Sequence, residues 1–307
     1  MRQLTKGHVL GILLAVIAPF ASVGFVKWRE GGRSGGQEFA EPFRIAGNLY
    51  YVGASDTTSF LLTGPLGHIL IDGGFPGTPP LIMASIARLG FDIRDVKILL
   101  NSGPRFDHAG GLAELQKASG AELWASEDSA LVMAAGGDEG EYATLLPMRV
   151  FIWTGITKYT APRVDHRFKD GATISLGAIK LTAHITGGNS RGCTTWSFPV
   201  RDGERELNVV SACSVDLPPG LVSLVESENY PGIRADFERT FQVLRSLPAD
   251  IWVTGHAKGW GRYRKFVESG KAKDPVEPFM DRAGYLSFID KGEEAFKKLL
   301  GEQQGRP

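Results

Sequence analysis

Residues 101–111, NSGPRFDHAGG, concentrate the side chains best suited to chemistry. Arg105 carries a fixed positive charge, and the adjacent Asp107 and His108 offer a carboxylate and an imidazole, groups that bind metals or transfer protons. The run lies between an apolar strand and a helix, where a loop can present side chains from a rigid base. Taken alone, Asp107 before a helix is typical of an N-cap residue, and His256 after a strand is typical of a structural histidine.

The elements that must position this loop are strands and helices of a mixed fold. Residues 96–100 are apolar enough to predict a strand buried on both faces. Helical spacing predicts helices at 79–89, 109–118, 233–247 and near the carboxy terminus, and β-branched or aromatic runs predict strands at 49–52, 59–63, 68–71, 122–125, 172–175, 179–185, 193–200, 207–212 and 251–254. This order indicates an α+β fold of two packed sheets with helices outside.

The amino-acid composition limits the classes of partner that the protein is expected to bind. The 307 residues hold 34 basic and 34 acidic side chains, with no concentrated basic run. Nucleic-acid binding needs clustered positive charge to displace counterions, so no nucleic-acid partner is expected.

The amino terminus predicts export. Arg2 and Lys6 precede an uncharged apolar stretch at 9–26 that meets Lys27 and Arg29. This layout is typical of a secretory signal, and its length also approaches the minimum of roughly 17 residues for a membrane helix. Residues 1–28 are therefore interpreted as a cleaved signal peptide or a membrane anchor, 29–38 as a flexible linker and 39–305 as the folded domain. The domain is expected to be periplasmic, secreted or anchored in the inner membrane facing the periplasm.

Cys193 and Cys213 are the only two cysteines. They flank a predicted hairpin whose turn is centred on Gly203, which places them roughly opposite one another. A disulfide in an oxidising compartment and two small buried residues are both consistent with this placement.

Several spaced segments together resemble the metallo-β-lactamase superfamily. That superfamily carries His-x-His-x-Asp-His at this strand-to-helix junction, and the tail Asp-His-Ala-Gly-Gly is intact at 107–111. Segments 70–74, 182–184, 192–196 and 255–257 resemble further family motifs in order, and 230–238 with 278–281 resemble subclass B3. The resemblance implies a four-layer αβ/βα sandwich of two mixed β-sheets, zinc as cofactor, and a small-molecule substrate.

The resemblance also transfers two zinc sites by position. The first needs three histidines, and Gly103, Arg105 and Asn189 stand there instead. The second maps to a complete set: Asp107, His108 and His256. One carboxylate and two imidazoles leave a fourth tetrahedral position open, as in catalytic zinc sites. At most one zinc ion is therefore implied.

Asp107 and Arg105 are the implied catalytic residues. Asp107 would serve as both ligand and base. Arg105 either replaces some of the missing positive charge and binds a carboxylate or oxyanion, or pairs with Asp107 and competes with zinc. Asp72 is implied to fix the ligand loop. Asn189 and Ser214 are implied to contact either the substrate or the metal ligands, and Ser214 falls where the family often has a serine near the second metal.

Two functions follow from this pattern. The first is a hydrolase that uses one zinc ion to activate water against a β-lactam or related acyl bond. The second is a catalytically weak or inactive pseudoenzyme that binds a ligand or partner in the same cleft. A harder metal fits less well, because two imidazoles favour zinc over magnesium or calcium.

Overall fold

The protein is described from a computed structural model that covers residues 37–137, 155, 157–217, 222–225 and 227–305. The predicted signal or anchor at 1–28 and the linker up to residue 36 lie outside this part of the chain. Among the helices that are described, none combines the length and apolar character needed to cross a membrane.

Two mixed β-sheets form the centre of the domain. The first sheet has seven strands in sequential order: β1 Phe43–Ala46, β2 Leu49–Tyr51, β3 Phe60–Leu62, β4 His68–Ile71, β5 Val96–Leu100, β6 Glu122–Ser126 and β7 His166–Phe168. Strands β1 to β4 pair antiparallel and β4 to β7 pair parallel. The second sheet has the order β12-β11-β10-β9-β8, from β8 Thr173–Leu176, β9 Ile179–Ile185, β10 Thr194–Asp202, β11 Arg205–Ala212 and β12 Ile251–Thr254. Only β11 and β12 pair parallel in it.

Helices cover both outer faces. The helices of the described residues are α1 Pro79–Arg88, α2 Leu112–Ser119, α3 Glu127–Ala134, α4 Ile233–Ser246, α5 Arg262–Ser269 and α6 Arg282–Gln303. Apolar residues of α1, α2 and α3 share one core with the outer face of the first sheet, and those of α4 and α6 pack with the second sheet. The predicted two-sheet sandwich with outer helices is confirmed.

Strand β4 shows how the sequence specifies this layering. Ile69 and Ile71 enter the core between the sheets, whereas Leu70 enters the core under the outer helices. Successive side chains of a strand point to opposite faces, so a strand with helices on one face and a sheet on the other is apolar throughout.

The helix after the ligand loop begins later than predicted. It starts at Leu112 with Gly111 as its N-cap, rather than at residue 109, so the N-cap interpretation of Asp107 is wrong. The loop is held in a tight turn because the amides of His108 and Ala109 both donate to the carbonyl of Arg105. A Cβ on Gly111 would lie 2.3 Å from the carbonyl oxygen of Gly73, so only glycine allows this close approach.

Candidate metal centre

Asp107, His108 and His256 meet at one edge of the two sheets. Strand β5 ends at Leu100, and the loop after it carries Asp107 and His108. Strand β12 ends at Thr254, two residues before His256. Ligands far apart in sequence therefore meet because the strands that precede them end at the same side of the sandwich.

The three side chains offer ligand atoms in a small volume. One ligand atom of each lies within 4.8 Å of the others. Oδ2 of Asp107 is 3.4 Å from Nε2 of His256 and 3.9 Å from Nε2 of His108. Zinc bonds of about 2.0–2.2 Å in a tetrahedron separate ligand atoms by about 3.3–3.6 Å. The observed spacing is close to that range.

A carboxylate lies at the second ring nitrogen of each imidazole. Nδ1 of His108 is 3.3 Å from Oδ2 of Asp72, and Nδ1 of His256 is 3.3 Å from Oδ2 of Asp56. Carboxylates in this position fix the tautomer of a metal-binding histidine and leave Nε2 as the ligand atom. Sequence reasoning missed Asp56, because it lies in an ordinary turn 200 residues from His256.

Asp72 holds the start of the ligand loop as well as His108. Its Oδ1 accepts a 2.8 Å hydrogen bond from the amide of Ser102, and its Oδ2 accepts one from the Ser102 hydroxyl. Asp72 is also the only non-glycine residue of the described chain with positive φ, at 62°. Such a backbone is unfavourable for most side chains, and persists where surrounding contacts impose it.

Mutual pairing sets the protonation of the site. Burial would raise the pKa of Asp107, but the positive charges of His108, Arg105 and His256 lower it well below its ordinary value. Burial also disfavours the charged form of His108, yet Asp107 and Asp72 raise its pKa to about 8. In the metal-free protein at pH 7, Asp107 is therefore ionised and His108 is largely protonated. A bound cation would replace the His108 proton.

Arg105 lies beside the carboxylate that the metal would use. Its Nε is 3.5 Å from Oδ1 of Asp107, and its side chain is 30% exposed. Oδ1 is buried and accepts no hydrogen bond from the described residues. The guanidinium therefore compensates the charge of Asp107 without satisfying this oxygen.

Gly103, Asn189 and Ser214 lie around the adjacent part of the cleft. A Cβ on Gly103 would meet only Sγ of Cys213, at 4.0 Å. Nδ2 of the buried Asn189 donates to the carbonyl of Asp216 at 3.1 Å, and Oγ of Ser214 lies 3.0 Å from Oδ2 of Asp216. Asn189 and Ser214 line the same cavity as Asp107.

A disulfide joins two segments that carry residues of this part of the cleft. Cys193 and Cys213 are bonded, with their Cα atoms 5.9 Å apart. Of the two interpretations that the sequence allows, the structure shows the disulfide. The bond ties the segment before β10, which follows Asn189, to the segment after β11, which carries Ser214.

The other described histidines lie away from the centre. Nε2 of His184 is 2.8 Å from Oγ of Ser197, and burial lowers its pKa. His68 packs edge-on against Phe91. His166 stacks on the ring of Trp124 with centroids 4.1 Å apart. These contacts are those of structural side chains.

The donor set fits a zinc ion. Asp107, His108 and His256 supply one carboxylate and two imidazoles, both imidazoles are oriented through Nδ1, and Oδ1 of Asp107 is a buried acceptor without a hydrogen bond. No other group of three such ligands occurs in the part of the chain that the structure describes.

Comparison with known proteins agrees with this centre. The sequence profile of the metallo-β-lactamase superfamily matches residues 52–256, from the residue after β2 to the last candidate ligand. The chain belongs to the metallo-β-lactamase superfamily.

Solved structures of this superfamily share the fold over most of the chain. Native FEZ-1 metallo-β-lactamase from Legionella gormanii is 35% identical, with 87% of this chain and 98% of that chain covered and a TM-score of 0.81. BJP-1, a subclass B3 metallo-β-lactamase of Bradyrhizobium japonicum, is 31% identical, with 88% and 97% covered and a TM-score of 0.78. A Cronobacter sakazakii metallo-β-lactamase with a HARLDQ motif is 31% identical, with 87% and 100% covered and a TM-score of 0.78.

Proposed function

We propose that this protein is a metallo-β-lactamase-type hydrolase that uses at most one zinc ion, held by Asp107, His108 and His256, to open a β-lactam or a related acyl bond. The observation that carries the proposal is the pair of carboxylates at the Nδ1 atoms of His108 and His256. This arrangement directs both Nε2 atoms towards Asp107, and it is the arrangement that metal-binding histidines require.

The protein's own residues supply binding and orientation. When bound, a zinc ion with an open position supplies Lewis acidity and activates water at neutral pH. Arg105 is placed to bind an acidic group of the substrate or the oxyanion that develops during acyl transfer. The same guanidinium, together with the histidines, lowers the pKa of Asp107, which makes Asp107 a weak proton acceptor. We therefore expect slow turnover.

The residues around the neighbouring position support a single ion. Gly103 has no side chain, Arg105 is a cation, and Asn189 donates its amide to a carbonyl. The HARLDQ motif of the Cronobacter sakazakii enzyme places an arginine two residues before an aspartate, which is the spacing of Arg105 and Asp107. A protein of this fold that is called a metallo-β-lactamase thus also has an arginine at this spacing from an aspartate.

Histidine substitutions test the proposal. Purified protein loaded with zinc should hydrolyse nitrocefin or another acyl substrate, and His256→Ala should abolish turnover because one ligand is lost. His166→Ala is the matched control, since His166 stacks on Trp124 away from the cleft. Equal turnover in the wild type and His256→Ala would reject this site.

The position of Arg105 favours a second candidate, a protein that binds a ligand in the cleft without turnover. The guanidinium of Arg105 is 3.5 Å from Oδ1 of Asp107 and already offers this carboxylate a positive charge. If it excludes the metal, Arg105→Ala should gain zinc affinity while Arg105→Lys, which keeps the charge, should not. Equal zinc affinity in all three proteins would remove the argument for this candidate.

We also propose that the domain works in the periplasm, reached through residues 1–28. The bonded Cys193 and Cys213 support an oxidising compartment. Cell fractionation should then recover the protein with periplasmic or inner-membrane markers, and recovery in the cytosol would contradict this location.

A further inference from the structure

The cavity at the metal centre extends well beyond it. Its volume is about 790 Å³, within the range of roughly 300–1,000 Å³ typical of small-molecule sites. Arg105, Asp107 and His256 are part of its lining. A second group of lining residues, here called the α6 arm, consists of Trp252, Trp260, Phe288 and Lys291.

One face of helix α6 forms a wall of this arm. Residues at successive helical turns line the cavity: Gly284, Phe288, Lys291 and Ala295. They follow the i, i+4, i+7, i+11 spacing of a single helix face. A neighbouring face carries Tyr285, Ile289 and Phe296 into the core. The core contacts fix the rotation of α6, so these positions face the cavity before any ligand binds.

The wall is aromatic and rigid. The rings of Phe288 and Trp252 stack with centroids 5.2 Å apart and an interplanar angle of 30°, and Trp260 is only 2% exposed. Lys265 is 1% exposed, lies 5.3 Å from the Trp252 ring and pairs with Asp281 at 2.9 Å. Its charge is thus compensated. Trp252 is also only 4% exposed, so half-buried Phe288 is the aromatic side chain of this wall that has ring surface left for a ligand.

Positive charge is available in both groups of lining residues. Arg264 also lines the arm, but its guanidinium pairs with Glu268 at 2.8 Å. Lys291 is exposed and has no ion pair with any described residue. Arg105 belongs to the other group of lining residues, beside the metal ligands. An anionic group at the end of an apolar chain would therefore meet Lys291.

We propose that the α6 arm binds an extended apolar part of the substrate and that Lys291 binds a second anionic group at its far end. The substrate class is thus an acyl compound with a long alkyl or aryl portion and a terminal carboxylate. That the substrate is an acyl compound rests on the proposed function. Binding of an apolar chain along the α6 arm does not, because it requires no turnover.

Carboxylates of graded length test the arm directly. Calorimetric titration of the full-length, zinc-loaded protein with butyrate, hexanoate and octanoate should show affinity rising by about fourfold per added methylene, as burial of apolar surface predicts. Suberate, with eight carbons and two carboxylates, should bind more tightly than octanoate. Affinity that is independent of chain length would overturn the proposal.

Two variants assign these effects to residues. Phe288→Ala should flatten the dependence on chain length, and Lys291→Gln should remove the preference for suberate over octanoate. Lys298→Gln is the matched control, because Lys298 is an exposed lysine of the same helix outside the cavity lining. If Lys298→Gln weakens suberate binding as much as Lys291→Gln, the assignment of Lys291 is wrong.

The same ligands separate this inference from the proposed function. Chain-length-dependent binding in a protein that hydrolyses nothing would support the α6 arm and contradict the hydrolase. Hydrolysis of acyl substrates with no effect of Phe288→Ala or Lys291→Gln would support the hydrolase and contradict the arm.

Discussion

Two adjacent parts of the same cleft are built from opposite kinds of residue. One part holds three candidate ligands, each imidazole with a carboxylate behind it: Asp107, His108 and His256, with Asp72 and Asp56. The other part holds a glycine, a guanidinium and an amide that donates to a carbonyl: Gly103, Arg105 and Asn189. The first part attracts a cation through negative charge and available nitrogen atoms, and the second repels one through Arg105.

The difference shows that the two positions can change independently on one scaffold. The loop at 101–111 carries residues of both positions, whereas Asn189 and His256 come from separate loops. The carboxylates of Asp72 and Asp56 contact the ligand histidines. Loss of ligands from one position therefore leaves the second position and the fold intact. A supporting shell that persists around one position argues that this position is still used.

Introducing the three missing histidine ligands should have the largest effect on zinc binding. The triple substitution Gly103→His, Arg105→His and Asn189→His should raise the zinc content by a second equivalent, because it removes the repelling charge and a side chain at position 103 meets no close neighbour. Elemental analysis of zinc per chain measures this, with Arg105→Gln alone as the control. An unchanged zinc content in the triple variant would show that the two parts differ by more than their ligands.

Removing the carboxylate that contacts one of the ligand histidines should have the next largest effect on zinc binding. Asp56→Asn should weaken zinc binding by about 10–100-fold, the usual effect of losing such a partner, because His256 loses the charge at Nδ1. Chelator competition measures the affinity. Asp95→Asn is the control, since Asp95 is exposed and remote from the cleft; a similar loss in both variants would mean that the effect is not local to His256.

Zinc affinity and the stability of the metal-free protein should change with pH in opposite directions. Because Asp107 and Asp72 raise the pKa of His108 to about 8, zinc must displace a proton below that pH. Zinc affinity should fall by about tenfold per pH unit below 8 and level off above it. Metal-free protein should show the opposite trend, because a raised histidine pKa stabilises the fold fully below about pH 6.5 and the benefit of about 2 kcal/mol is lost as pH rises through 8.

Chelator competition and denaturant unfolding at pH 6, 7, 8 and 9 measure the two trends. A zinc affinity that stays constant across this range would contradict a ligand role for His108. Metal-free stability that rises between pH 6.5 and 8 would contradict the raised pKa.

The sequence predicted those features that depend on local pattern. Strand β5 and strand β12 were predicted at their observed bounds because short apolar runs between turn residues have few alternatives. Helix α5 was not predicted, since Arg262–Ser269 is only eight residues long and rich in charge, and its three apolar side chains are too few to define a helical stripe. Strand β1 was not predicted either, because Arg44 interrupts its apolar residues and leaves no continuous apolar run.

Contacts between distant residues lay beyond sequence reasoning. Asp56 and His256 are joined only by the fold, so neither residue marks the other in the sequence. The α6 arm depends on the rotation of α6 against the core, which its cavity-facing residues do not reveal. Nor did the pattern around the two cysteines decide between a disulfide and free thiols, because the choice depends on the distance between two loops.

The central claim is that Asp107, His108 and His256 converge on one cation. Zinc content per chain, measured after loading and removal of excess metal, tests it most directly. We predict one equivalent in the wild-type protein and none in His256→Ala. No bound zinc in the wild type, or one equivalent retained in His256→Ala, would contradict the claim.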